Sequence, residues 1–131
     1  MRTLRYALEL YYNNTASLYP TCLKAGGSCT TVLDGAGTIP AIPVDPLSGV
    51  NYSYAALGTC GSFHLGASLE VKSNPALLSD ADSATTTICS GSYPDFSGLS
   101  YAAGGQPCNT TAGIAQPTGA ANGGSCYDVK P

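Results

Sequence analysis

The chain predicts an α+β fold in which one N-terminal α-helix packs on a small antiparallel β-sheet, with long irregular disulfide-bonded loops outside. Three observations lead there. Apolar residues recur at helical spacing only near the start, two short runs with strand alternation follow, and six cysteines are spread through stretches rich in Gly, Pro, Ser and Thr. At 131 residues there is room for one core, so 1–131 reads as a single domain. Its expected parts are a helix over 2–14, a connecting loop over 15–48, a β-hairpin over 49–72, and C-terminal loops and strands over 73–131.

The helix rests on good helix formers from Thr3 to Tyr12, with Leu4, Ala7, Leu8 and Tyr11 at the three-and-four spacing of one face. No capping residue precedes it, and Arg2 and Arg5 put positive charge at the positive end of the helix dipole. A start of that kind leads us to expect a helix that continued upstream and was cut. No signal peptide stands ahead of it, although a disulfide-bearing exported protein needs one, so Met1 is expected to replace a removed segment. Asn13, Asn14 and Thr15 weaken the helix, and Pro20 biases Tyr19 away from helical geometry.

From Thr21 to Ser48 the glycines and prolines break any regular pattern, so this stretch reads as connection. Asn51-Tyr52-Ser53-Tyr54 and Ser62-Phe63-His64-Leu65 alternate polar with bulky residues and read as a hairpin, with the turn over Ala55 to Gly61. Its Tyr and Phe rings are expected to cover the helix stripe, which leaves His64 on the opposite, exposed face. Further strands are expected at Thr85 to Ile88, near Leu99 to Tyr101, and at Tyr127 to Val129, where the last closes the sheet. Gly104 to Gly124 is too poor in bulky apolar residues for a core of its own and reads as an exposed loop.

Bulky apolar residues are few, with two Phe and no Trp, so covalent staples become useful. Cys22, Cys29, Cys60, Cys89, Cys108 and Cys126 contain no Cys-x-x-Cys, and there is one histidine, so disulfides are the better reading than a zinc site. Cys22 with Cys29 and Cys89 with Cys108 are the pairs expected, although six cysteines allow about 15 arrangements. Disulfides point to an oxidising compartment. Net charge is -3 and the five basic residues are scattered, which argues against nucleic acid as a partner. No apolar run approaches the ~20 residues needed to cross a bilayer.

Catalysis has little to build on. His64 would have to serve any triad, there is no Gly-x-Ser-x-Gly or Ser-x-x-Lys, and the cysteines are taken by disulfides, so no enzyme activity is expected. The carboxylates are scattered except for Asp80 and Asp82, which could turn toward one point in a loop and hold Ca²⁺ with oxygens from Leu69, Leu77 and Ser79. The same Asp-Ala-Asp is also an ordinary turn or N-cap segment, and it does not match an EF-hand loop. Asn13, Asn51 and Asn109 head glycosylation sequons, Asn109 being the most accessible candidate.

With these residues in view, the chain resembles the soluble domain of a bacterial type IV pilin or a type II secretion pseudopilin. The resemblance covers roughly Arg2 to Asp82. It lies in Leu4 to Tyr12 followed by Tyr19-Pro20, then Pro43-Val44-Asp45-Pro46, Gly49, Tyr52-Ser53-Tyr54 and Phe63-His64-Leu65-Gly66-Ala67. It implies a filament subunit at the cell surface, or in the periplasm for a pseudopilus, whose partners are copies of itself and other pilins. A missing upstream helix would make those contacts, so the chain by itself is expected to be a monomer away from the membrane. In major pseudopilins, a loop after the second strand holds calcium through aspartates placed as Asp80 and Asp82 are here, whereas Ser68-Leu69-Glu70 stands where Asp-Gly is often found. A disulfide-pinned C-terminal loop is more typical of pilins. The rival from another class is a secreted disulfide-rich glycan-binding module using Tyr93, Phe96 and Tyr101, or an adhesin or inhibitor acting through the Gly104 to Gly124 loop.

Overall fold

In a computed structural model of the chain, the stripe near the start forms helix α1, Arg2–Asn14, and buries Leu4, Ala7, Leu8 and Tyr11. The structure describes residues 1–27, 29–47, 49, 51–71, 74–81, 87–92, 96–97, 108–110 and 125–131, with backbone alone at 96, 97, 109, 110 and 125. Helix α1 has Met1 at its N-cap with no capping side chain and no acidic residue in the first turn. At the other end Thr15 Oγ1 donates to the carbonyl of Tyr11 at 2.7 Å, satisfying one of the last helical carbonyls. Ala16 and Ser17 then take left-handed φ values of 46° and 60°, and the chain reverses there.

After the reversal, Tyr19 and Pro20 are buried and the segment to Ile42 has no regular element, yet it contributes Leu23, Leu33, Ile39 and Ile42 to the core. Thr21 holds this irregular chain together. Its hydroxyl accepts from the backbone N–H groups of Thr30 and Thr31 at 3.1 and 2.9 Å and donates to the Thr31 carbonyl at 2.8 Å. A buried loop must satisfy its backbone in some such way. Cys22 and Val32 form a short parallel bridge beside it.

Strands β1, Ser53–Leu57, and β2, Ser62–Leu69, form the expected antiparallel hairpin with Tyr54 opposite Leu65 and Ala56 opposite Phe63. The turn is shorter than Ala55 to Gly61, because β1 runs on through Ala55, Ala56 and Leu57. Alanine has weak strand preference, but both alanines are fully buried, and tertiary packing overrides the local tendency. Gly58 and Cys60 make the turn with φ of 59° and 64°. A 3-10 turn, Pro75–Leu78, follows β2. Of the strand expected over Thr85 to Ile88, Ile88 makes an isolated bridge to Leu57, while 85 and 86 lie outside the described residues. The 87–92 segment lies along the outer edge of β1: Gly58 N–H donates to Thr87 and Cys89 N–H to Ala56, each at 2.8 Å.

Two-residue strands β3, Phe96–Ser97, and β4, Asn109–Thr110, pair with each other, whereas the strand expected near Leu99 to Tyr101 lies outside the described residues. Strand β5, Ser125–Val129, pairs antiparallel with β2 and closes a sheet of order β1-β2-β5. The result is an α+β architecture of one N-terminal helix and a three-stranded antiparallel sheet. The helix stripe, Tyr54, Ala56, Phe63 and Leu65 share one core, with Tyr19 edge-on to Phe63 at 4.8 Å between ring centroids.

The expected exposure of His64 is overturned: it is 0% exposed. A single wet face would leave every second residue of β2 in solvent, but the whole run Phe63 to Ala67 is buried. The reason is that β2 is central and covered on both faces, as buried strands are. Its second face carries Asp128 and Cys126 from β5, sixty residues downstream.

Candidate functional site

The structure pairs Cys22 with Cys29, Cys60 with Cys89, and Cys108 with Cys126. The expected pair Cys89 with Cys108 is therefore corrected. Cys60 sits in the β1–β2 turn, and the 87–92 segment hydrogen-bonded to β1 delivers Cys89 to it, while the Cys108 N–H donates to Ser68 of β2, opposite Cys126 on β5. The sequence could not show this, because it depends on which edge of the hairpin the later chain follows. Three disulfides place the chain in an oxidising compartment outside the cytoplasm. Among the described residues, no helix is long and apolar enough to cross a membrane.

The expected metal site was Asp80 and Asp82 with oxygens from Leu69, Leu77 and Ser79. Leu69 ends β2, half-buried, and Glu70 is exposed. Asn74 caps the 3-10 turn, its side chain accepting from Ala76 N–H at 3.0 Å, and Leu77 lies inside that turn. The Ser79 hydroxyl donates to the Ala76 carbonyl at 3.4 Å, and so serves the turn. Asp80 follows with both carboxylate oxygens buried, and Ala81 N–H donates to the Asp128 carbonyl at 3.0 Å, which ties the loop to β5. Asp82 lies outside the described residues. Calcium takes six to eight oxygens. Among the described residues, no three of His, Cys, Asp and Glu come together as a metal-holding group.

The polar centre that the sequence did not reveal is His64 with Asp128. Nε2 of His64 lies 2.7 Å from Oδ2 of Asp128, and both side chains are 0% exposed. The imidazole and the carboxylate thus share one buried hydrogen bond. Gly66 of β2 stands directly opposite Asp128, which puts the carboxylate diagonal to His64 across the strand pair. A His four positions after Cys60 and an Asp two positions after Cys126 are the only signal the sequence offered. Enclosed in this way, His64 is out of contact with solvent.

A second cluster lies between α1 and the sheet. The Tyr19 hydroxyl donates to both oxygens of Glu9 at 3.2 Å, and its ring lies 4.6 Å from that of Tyr12. Burial first, then the Glu9 charge, push the Tyr19 phenol up to about 12. Tyr54 donates to the Pro20 carbonyl at 2.7 Å, and burial holds its phenol well above the usual range. Burial and the nearby Asp45 also raise Tyr52. These phenols act as anchors for the chain leaving the helix.

Asn13 and Asn51 are exposed, whereas the side chain of Asn109, in β4, is outside the described set. So are those of Tyr93, Phe96 and Tyr101, and most of the Gly104 to Gly124 loop. Comparison with family models, curated proteins and solved structures gave no match.

Proposed function

We propose that this chain is the surface domain of a non-enzymatic filament subunit, a type IV pilin working by subunit packing and display. The observation that carries the reading is the apolar stripe of α1 seated across a small antiparallel sheet whose last strand is held by a C-terminal disulfide, Cys108 with Cys126. A helix with one buried stripe and an outer face carrying Arg2, Arg5 and exposed Tyr6 suits a coat domain on a helical spine. Copies of itself and other pilins are the partners, at the cell surface. Joining an apolar helix of about 20 residues ahead of α1 and expressing the product with an assembly system tests this. Filaments containing the chain are expected in electron micrographs; their absence with both pilus and secretion systems overturns the proposal.

The second reading is a major pseudopilin of the periplasm, favoured by the inward-turned Asp80 carboxylate in the loop between the 3-10 turn and β5. Asp80 and Asp82 would hold Ca²⁺, and the ion would tie that loop to the sheet. Melting with calcium and with chelator decides it: a higher midpoint with calcium, abolished in Asp80→Asn, supports the site, and equal midpoints reject it.

A further inference from the structure

We propose that the second face of β2 is a template that brings Cys108 and Cys126 together before they are oxidised. The inference does not depend on the filament reading. Residues 64, 66 and 68 of β2 share that face. Ser68 stands directly opposite Cys126 on β5, and its hydroxyl accepts from the backbone N–H of Cys108 at 3.2 Å. One serine therefore holds the amide of one cysteine beside the partner strand of the other.

The register of β5 decides whether this works. The strand has five residues, and its only continuous partner among the described strands is β2. A slip by two residues keeps the same side chains on the same face, so burial alone does not forbid it. Such a slip moves Cys126 about 7 Å along β2. The observed Cα–Cα separation of Cys108 and Cys126 is 4.6 Å, near the lower end of the range a disulfide spans, so the slipped strand is out of reach. His64 and Asp128 act against one of the two slips. The register that puts Asp128 opposite Gly66 makes the 2.7 Å contact to His64, and a slip that carries Asp128 opposite Ser68 breaks it.

The same strand thus carries its reactive cysteine and, two residues on, the carboxylate that sets the cysteine's address. Oxidation then joins two thiols already placed, with two electrons and two protons passing to a disulfide oxidant such as oxidised glutathione. The pair His64–Asp128 and the Ser68 hydroxyl are positioning groups, and neither reacts.

The test is the equilibrium of each disulfide with glutathione in the full chain, trapped by alkylation and mapped by peptide mass. Cys22–Cys29, which closes a seven-residue separation within the connecting segment and pairs no residue of β2 or β5, is the internal reference. Asp128→Asn is expected to lower the effective concentration of the Cys108–Cys126 thiols roughly tenfold to a hundredfold, the equilibrium change of losing one hydrogen bond to a charged group. Ser68→Ala is expected to lower it roughly two- to tenfold. Both should leave Cys22–Cys29 unchanged. Ser68→Ala removes one hydroxyl from a half-buried position and keeps the fold, so it decides the question if Asp128→Asn does not fold. Unaltered Cys108–Cys126 equilibria in the folded variants, or an equal fall for Cys22–Cys29, overturn the proposal.

Discussion

Replacing Phe63 by alanine tests the account of the core most directly. Phe63 is fully buried in β2, edge-on to Tyr19 at 4.8 Å and stacked with Tyr54 at 6.3 Å, in the layer that also holds Leu4 and Leu8. Removing the ring forfeits its transfer free energy, leaves a cavity bounded by rigid rings, and cancels two aromatic contacts. The first two effects together cost about 3–5 kcal/mol for a buried phenylalanine. Each ring pair carries about 0.5–1.5 kcal/mol of its own. A domain of this size has ~5–15 kcal/mol in total, so the variant should stay folded but much weakened. With a urea slope of about 1.5 kcal/mol/M, the first two effects alone lower the midpoint by about 2–3 M, and the lost ring contacts add to that, in unfolding followed by tyrosine fluorescence with disulfides intact. Coupling to Tyr19 is separable: in a double-mutant cycle with Tyr19→Leu, the interaction should be about 1 kcal/mol. A fall of less than 0.5 M, or no coupling, would refute the claim that the helix stripe, Tyr19 and the sheet share one packed layer.

Other expectations follow from the same geometry. Raising the pH from 10 to 12 should destabilise the fold, because the Tyr19 phenol is raised to about 12 against an unfolded value near 10; the folded state keeps a proton that the unfolded state has lost. Urea midpoints should fall across that window, and Tyr19→Phe should flatten the part due to this group. Leu8→Ala, at a fully buried stripe position, should cost about 2–5 kcal/mol, whereas Tyr6→Ala on the exposed face should cost under about 0.5 kcal/mol. Replacing Cys60 and Cys89 by serine opens a larger loop than replacing Cys22 and Cys29, 29 against 7 residues of separation, so chain entropy predicts about 3.5 against 2.5 kcal/mol lost; thermal melting of both double variants ranks them. Gly58→Ala meets no atom within 4 Å but must hold φ at 59°, which costs about 1 kcal/mol, seen as a lower melting midpoint.

The helix stripe was legible because its period is local: Leu4, Ala7, Leu8 and Tyr11 declare one face whatever lies across from them, and all four are buried. The hairpin was legible for a similar reason, since Tyr54, Phe63 and Leu65 alternate with smaller residues. His64 was misread because alternation assumes one face in water, whereas on that face it meets Asp128 of the neighbouring strand β5, with Cys108 held at Ser68 two rungs along, all too distant in sequence for any local pattern to reveal. The partner of Cys89 was hidden for the same kind of reason, as it follows from the path of 87–92 along β1. In the loop site, Asp80 is seen turned inward while Asp82 lies outside the described residues.

Cys60 has a mechanical consequence. Its carbonyl accepts from Tyr19 N–H at 2.8 Å, its sulfur is joined to Cys89, and its backbone holds the left-handed corner of the hairpin. Tension entering through α1 therefore reaches the hairpin tip over one hydrogen bond, and tension from the later chain reaches the same point through a covalent link. Both loads meet at one residue, at the end of the β1–β2 ladder rather than along it. In that geometry the ladder is pulled from its tip, and the disulfide limits how far it can open.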